Sequence, residues 1–245
     1  MTSAGGFNPT WQRHVAAYEL AEPAFGPGLL LDLGCGVGHS FELLAPRETV
    51  GVDLDADALE GQERKTVVAD MRDLPFDDDC FESVLSVHSI EHVPDPERVI
   101  SEVSRVLVPG GTAVFVTPNR LTFGRPDEII DPFHFIEFDS AQLRDLCLAG
   151  FEEVEIDGIF GSDRYMEIHD AERRKLDRLL GLDFLKLRRA VPVKARQKLY
   201  DLMLQRSRKL HDPRAESITS GDFRLEHQGL VRCLDVVATC RGPKP

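Results

Sequence analysis

The chain lacks any apolar run approaching the ~20 residues that a membrane-crossing helix needs, so an integral helical membrane protein is not expected. Met1 to Thr10 has no basic region followed by an apolar stretch, so it does not read as a secretory signal. Cysteine is sparse: Cys35, Cys80, Cys147, Cys233 and Cys240 form no CxxC pair and have no histidine spacing suited to zinc. Such an odd, scattered set argues against a disulfide scaffold or a zinc fold and fits a reducing cytoplasm, the expected location. Basic charge is also short, with 29 Lys and Arg against 42 Asp and Glu and a net charge of −13. Phosphate contacts need clustered Lys and Arg, so no nucleic-acid partner is expected. Internal repeats and low-complexity tracts are absent.

The 245 residues that remain to be explained are ordinary globular material, 42% hydrophobic and 29% charged, and can bury a core unaided. The charge deficit is uneven. Residues 1–160 carry 10 Lys and Arg against 30 Asp and Glu, whereas residues 161–245 carry 19 against 12.

Short runs rich in Val and Leu alternate with helical patterns. Leu29–Leu33, Thr49–Asp53, Thr66–Ala69, Ser83–Val87 and Thr112–Thr117 read as strands buried on both faces. Alternation with helices predicts a parallel sheet built from βαβ units. Thr10 is expected to cap a first helix bearing Trp11, Val15 and Tyr18. Asp95 and Pro96 start another, whose apolar face holds Val99, Ile100, Val103, Val106 and Leu107 before Pro109-Gly110-Gly111 stops it. Asp139 caps a helix that ends at Gly150. Val154–Ile159 and Val231–Thr239 read as two more strands, and the stretch between them, too long for a simple connection, reads as mainly helical.

Asp32-Leu33-Gly34-Cys35-Gly36-Val37-Gly38 follows the first strand directly and is expected to open a helix. Glycines there let backbone turn tightly and approach a ligand. The dinucleotide pattern G-x-G-x-x-G fails, because its third glycine position falls on His39, and this argues against a nicotinamide-dependent oxidoreductase. No Gly-Lys-Ser/Thr follows either, which removes a Walker loop. A helix start favours an anion, yet Asp32 precedes the loop; the combination suits a zwitterion better than a bare pyrophosphate. Asp53 ends the second strand, 21 residues beyond Asp32, where a carboxylate can accept both ribose hydroxyls. Asp70 and Met71 end the third strand, placed to accept from an exocyclic adenine amine and to pack on the ring.

These segments resemble the class I S-adenosylmethionine-dependent methyltransferases, closest to the group of ubiquinone/menaquinone-type and small-molecule enzymes. LLLDLGCGVG, VGVDLD and VVADMRDLPFDDDCFESVLSVHSIEHVPDPERVISEVSRVLVPGG carry the resemblance, over about residues 10–160 plus the last strand. It implies an α/β, Rossmann-like sheet of seven strands in the order 3-2-1-4-5-7-6 with the last antiparallel. The chain would be one domain, with residues 10–160 and 231–240 as its core and residues 161–230 as a basic insertion. It implies S-adenosylmethionine as cofactor. Asp32, Gly34, Gly36 and Gly38 would surround its methionine part, Asp53 and Leu54 the ribose, Asp70 and Met71 the adenine. Ser86, Val87 and His88 would sit beside the sulfonium.

Methyl transfer from a sulfonium needs alignment and exclusion of water, with no metal required, and a hydroxyl acceptor also needs a base. His134 is the first choice for that base and His88 the second. Glu137, Asn119 and Phe133 are the candidates for acceptor binding, and Glu91, His92 and Arg120 lie on neighbouring loops. His88 and His134 lack a carboxylate spacing that would support a metal site, so none is expected. Trp11, His14 and Tyr18 either cover the cofactor or pack their helix on the sheet.

Residues 171–214 hold 14 Lys and Arg against 5 Asp and Glu, interleaved with leucines. They form a lid over an anionic acceptor, a solvated helical scaffold or, as a minority reading, a peripheral membrane contact. The expected activity is methyl transfer to a small-molecule, glycan or lipid-precursor acceptor, at oxygen. The alternative is a non-catalytic S-adenosylmethionine-binding subunit or sensor.

Overall fold

Side chains along the central strands alternate between two apolar layers, which is what a strand period of two demands of a sheet covered on both faces. Leu31, Leu33, Val84 and Phe115 join one buried cluster, while Leu30, Leu85, Val114 and Val116 join the other. The structure, a computed structural model, describes residues 8–123, 129, 131, 133–182 and 213–244. Its sheet has eight strands: β1 (Leu30–Leu33), β2 (Thr49–Asp53), β3 (Lys65–Val68), β4 (Phe81–Val87), β5 (Leu107–Pro118), β6 (Phe151–Gly161), β7 (Phe223–Glu226) and β8 (Asp235–Pro243). Their order is β3-β2-β1-β4-β5-β8-β6-β7. The pairs from β3 to β5 are parallel, and β8 runs antiparallel to both β5 and β6.

The expected order and the antiparallel last strand are present, with one strand more than the sequence suggested. Phe223–Glu226 lies in the stretch read as helical insertion, yet it pairs antiparallel with β6 as β7. Asp222 explains the docking: its carboxylate accepts from Ser162 Oγ, the Arg164 guanidinium and Thr219 N–H, pinning the chain before β7 to the end of β6. The last strand begins at Asp235 rather than Val231, because Leu230–Arg232 form a 3-10 turn. The insertion does begin as a helix, α7 (Asp163–Leu182); most of the basic stretch 171–214 lies outside the described residues.

Helices α1 (Asn8–Ala21), α2 (Ser40–Leu43), α3 (Ala56–Leu59), α4 (Pro96–Val106), α5 (Arg120–Phe123) and α6 (Ser140–Cys147) complete the described core. Thr10 is not a cap, since α1 already includes Asn8, whose side-chain amide donates to the Ala215 and Ile218 carbonyls. In α4 the four residues Val99, Ile100, Val103 and Val106 are buried as their spacing predicted. Asp95 starts that helix without a side-chain cap and accepts from Arg72 instead. Asp139 and Gln142 form a reciprocal capping box on α6.

Beneath the glycine loop, Asp32 is fully buried and pairs with Arg64 Nη2 at 2.7 Å, while Ser40 Oγ donates to the same carboxylate oxygen. Breaking one partner of a buried pair leaves an uncompensated charge. Arg64→Ala should therefore cost about 3–5 kcal/mol of stability, read from the urea midpoint; a loss within the ~1 kcal/mol of a surface pair would show that the pair does not hold the loop.

Candidate functional site

Open α/β sheets bind ligands outside the carboxyl ends of their strands, where the strand order reverses. Here that point lies between β1 and β4, and the loops leaving both strands close over it. Gly34 and Cys35 donate their N–H groups to the Val52 carbonyl, folding the loop across β2. Gly36 N–H donates to Asp53 Oδ2 at 2.8 Å, and Asp55 N–H donates to Oδ1 at 3.0 Å, so Asp53 shapes the loop it faces. Gly34 and Gly36 have φ of +78° and +52°, values that L side chains rarely adopt. A Cβ on Gly34 would lie 2.4 Å from Ser89 Cβ, whereas one on Gly36 would meet nothing within 4 Å, because Gly36 borders open space.

Two adjoining cavities share Gly34, His88 and His92. The first, about 470 Å³, runs past Asp53, Leu54, Asp70 and Met71. The second, about 360 Å³, is bounded by Gly36, Val87, Glu91 and five histidines: His14, His39, His88, His92 and His134. A larger groove of about 850 Å³ between Leu29 and Glu48 lies where strands begin, away from this end of the sheet. The structure thus gathers Gly34, Gly36, Asp53, Leu54, Asp70, Met71, Val87, His88 and His134 around one cleft. Asp70 is already gripped by Arg72, whose guanidinium and backbone N–H hold its carboxyl below the usual range against a smaller opposing effect of burial. A carboxylate has about four lone-pair sites; Asp53 has filled two of them, whereas Arg72 already makes four contacts to Asp70, two on each oxygen.

Other expectations give way. Asp32 spends its charge on Arg64, under the loop rather than in the cleft. Gly38 borders neither cavity; its φ of +81° and the Gln62 side chain, 2.3 Å from where a Cβ would be, make it a turn residue. Ser86 is fully buried and hydrogen-bonded to Ser89 Oγ, which in turn donates to the Leu33 carbonyl. Asn119 has all its side-chain groups engaged: Nδ2 donates to the Leu230 and Cys233 carbonyls and Oδ1 accepts from Leu121 N–H. It fastens the end of β5 to the turn before β8. Phe133 is half exposed and borders neither cavity; Phe135 takes the place at the cleft. Glu137 is buried behind His134, its Oε1 3.2 Å from Nδ1. Trp11 packs edge-on against His39, while His14 and Tyr18 do line the cleft.

His88 holds the junction. It follows β4 with φ +50°, an uncommon conformation for a residue with a Cβ and the kind found at functional sites. Its Nε2 lies 2.9 Å from Oδ1 of Asp235 at the start of β8. Asp235 is fully buried, which opposes its charge, but Arg13 and then His88 outweigh burial and hold its carboxyl far below the ordinary range. Arg13, from α1, clasps both oxygens and also donates to the Leu234 carbonyl. With Asp235 anionic, neutral His88 carries its proton on Nε2 and its lone pair on Nδ1. No hydrogen bond reaches Nδ1 among the described residues. Sequence reasoning missed both Arg13 and Asp235, because neither stands in a motif and they meet only through the fold.

The second cavity's other histidines differ sharply. Burial, then the neighbouring His88 and His39, push His14 down to about 3, with Asp235 opposing weakly. His134 is lowered by burial but raised more by Glu137, Asp131 and Glu91 together, for a net upward shift. Glu91, His92 and His134 bring one ligand-type atom each to within 4.8 Å of the others. The Cys35 thiol at the cleft is pushed up to about 12 by burial and by Asp32, so it stays protonated. For His14 the unfolded chain binds a proton below about pH 6.5 that the folded chain refuses until about pH 3. The wild type should lose stability relative to His14→Leu as pH falls below 6.5, at up to about 1.4 kcal/mol per pH unit. Urea unfolding at pH 7, 5.5 and 4.5 measures it, and parallel curves would refute the burial of a neutral imidazole.

A methyltransferase-domain family matches residues 31–115. A Mycobacterium tuberculosis protein named "Probable S-adenosylmethionine-dependent methyltransferase" is 32% identical over 171 residues, 66% of this chain and 62% of that one. Tocopherol O-methyltransferase of Arabidopsis thaliana is 33% identical over 118 residues, 42% of this chain and 34% of its own, and relatives named for N-methyl transfer match as well. The chain therefore spans less than two thirds of the length of these curated relatives. A SAM-dependent methyltransferase structure from Thermotoga maritima superposes with a TM-score of 0.64 at 18% identity, covering 96% of this chain and 92% of that one. Residues 31–115 thus match a methyltransferase-domain family, and the sheet order and the position of the cleft agree with the fold of that structural neighbour.

Proposed function

We propose that this chain transfers a methyl group from S-adenosylmethionine to a hydroxyl oxygen of a small-molecule, glycan or lipid-type acceptor, with His88 as the base. The residues present fit the cofactor. Asp53 offers a carboxylate to a ribose, Met71 an apolar face to a purine, and the open side of Gly36 a bare backbone beside the methionine part. Bound S-adenosylmethionine supplies an electrophilic methyl carbon, and displacement there leaves S-adenosylhomocysteine.

The observation that carries this reading is the His88–Asp235 pair at the junction of the two cavities. His88 Nδ1 takes the proton that the acceptor hydroxyl loses as the new oxygen–carbon bond forms. Asp235 holds the ring in the tautomer that frees Nδ1, and stabilises the imidazolium that results. Arg13 keeps Asp235 ionised and fixed. His134 is the first candidate from sequence, but its Nδ1 is held by Glu137 and its ring packs against Phe123 and His92. His14, neutral in the folded chain, and Tyr18 close the cavity from α1 and keep water from the reacting atoms.

Two variants separate binding from chemistry. Asp53→Ala removes charge-assisted hydrogen bonds and should weaken S-adenosylhomocysteine binding about 10–100-fold by calorimetry; unchanged affinity would sink the ribose assignment. His88→Ala should lower kcat by about 10²–10⁴ with that affinity nearly unchanged. The assay is transfer of labelled methyl into fractionated cell extract, partitioned between water and organic solvent. Label in the organic phase identifies a lipid-type acceptor, and label in water a sugar or other polar metabolite. Binding without transfer to any fraction would leave a cofactor-binding subunit instead.

A further inference from the structure

Two buried carboxylates and two imidazoles remain beside the second cavity, unused by the step assigned to His88. Glu91 and His92 lie on the 3-10 turn after β4, and His134 and Glu137 on the loop before α6. Backbone bonds lock the two segments: Phe135 N–H donates to the Glu91 carbonyl at 2.9 Å, and His92 Nδ1 lies 3.1 Å from the Phe133 carbonyl. Glu91 and Glu137 are only 1% and 3% exposed, and neither has a Lys or Arg partner among the described residues. Glu137 Oε2 is buried with no hydrogen-bond partner. Buried carboxylates without a compensating cation are costly.

We propose that Glu91, His92 and His134 bind a divalent first-row transition-metal cation. One ligand-type atom of each already lies within 4.8 Å of the other two. The hydrogen bonding prepares both rings for this. His92 Nδ1–H donates to a carbonyl and His134 Nδ1–H to the Glu137 carboxylate, which leaves both Nε2 atoms with lone pairs. A carboxylate or carbonyl behind each imidazole is the usual support of a metal-binding histidine. Thr117 Oγ1 donates to Glu91 Oε2 at 3.0 Å and holds the third ligand in place. Asp131 Oδ2, 3.9 Å from His134 Nε2, stands near enough to add an oxygen. Two imidazoles and a carboxylate favour zinc, iron or cobalt over calcium and magnesium, and leave coordination positions open. Exposed His92 gives the ion a route from solvent. Toward an acceptor, and resting on the methyl-transfer reading, the open positions would take an acceptor oxygen and lower the pKa of its hydroxyl.

The test needs no methyl donor. Chelator-stripped protein is dialysed against Zn²⁺, bound metal is counted by mass spectrometry, and Co²⁺ reports ligand geometry by its visible absorption. One equivalent per chain is expected. His92→Ala and His134→Ala should abolish stoichiometric binding, and Glu137→Gln should weaken it about 10–100-fold by loss of the charge behind His134. Glu155, Asp157 and His227 form a separate surface group, so His227→Ala should change nothing. Absence of saturable binding, its survival in His92→Ala, or its loss in His227→Ala would each overturn the proposal. Circular dichroism confirms folding, and exposed His92 carries the test should His134→Ala misfold.

Discussion

The buried ion pair between Arg13 and Asp235 fastens the first helix to the last strand across the mouth of the sheet. Each partner also reaches a third element, since Arg13 holds the Leu234 carbonyl and Asp235 holds His88 at the end of β4. Three parts of the chain distant in sequence are thereby set against one another within a few ångströms. A pair this deep pays a desolvation cost that hydrophobic residues would avoid. Its return is positional: it fixes α1 as the wall of the second cavity and sets the tautomer of His88, which borders both. The Arg64–Asp32 pair does the same under the glycine loop, so each side of the cleft rests on a buried charge pair.

Much of the fold and half of the cleft were legible in the sequence, and the legible parts are local. The glycine loop, Asp53 and Asp70 each declare themselves within a few residues, because a strand end, a turn and a carboxylate are neighbours in the chain. The α4 face and the Asp139 cap follow from helical spacing alone. Residues whose meaning depends on a distant partner did not show. Asp32 reads as a ligand until Arg64 arrives 32 residues later to claim it. Asn119 reads as an exposed polar group after a strand, and only the turn before β8 reveals that every one of its hydrogen bonds is spent. Ser86 sits one residue too early, facing into the sheet, and Ser89 beside Gly34 takes the place at the cleft. Four-residue β7 carries almost no periodic signal and exists because Asp222 docks the chain beside β6.

The cleft's histidines show how far environment separates identical side chains. His14 is kept neutral by burial among other imidazoles, whereas carboxylates on two elements draw His134 toward its charged form. His88 is committed by its contact with Asp235 to one tautomer. Acid–base roles divide along such differences in surroundings. The carboxylates that favour charge on His134 are also those that suit a cation, which ties its electrostatics to the ligand set it shares with Glu91 and His92.

The sheet finishes at both flanks in strands of four residues, β3 and β7. Among the described residues no strand pairs with the outer side of either. A long open edge offers unpaired N–H and C=O groups on which a strand from another molecule can grow. Here each margin is brief, and Lys65 and Arg224 put charge along it. A foreign strand would gain only a few hydrogen bonds before running out of template. Lateral growth of the sheet into a multi-chain aggregate is thus discouraged at the very edges where a longer strand would have invited it.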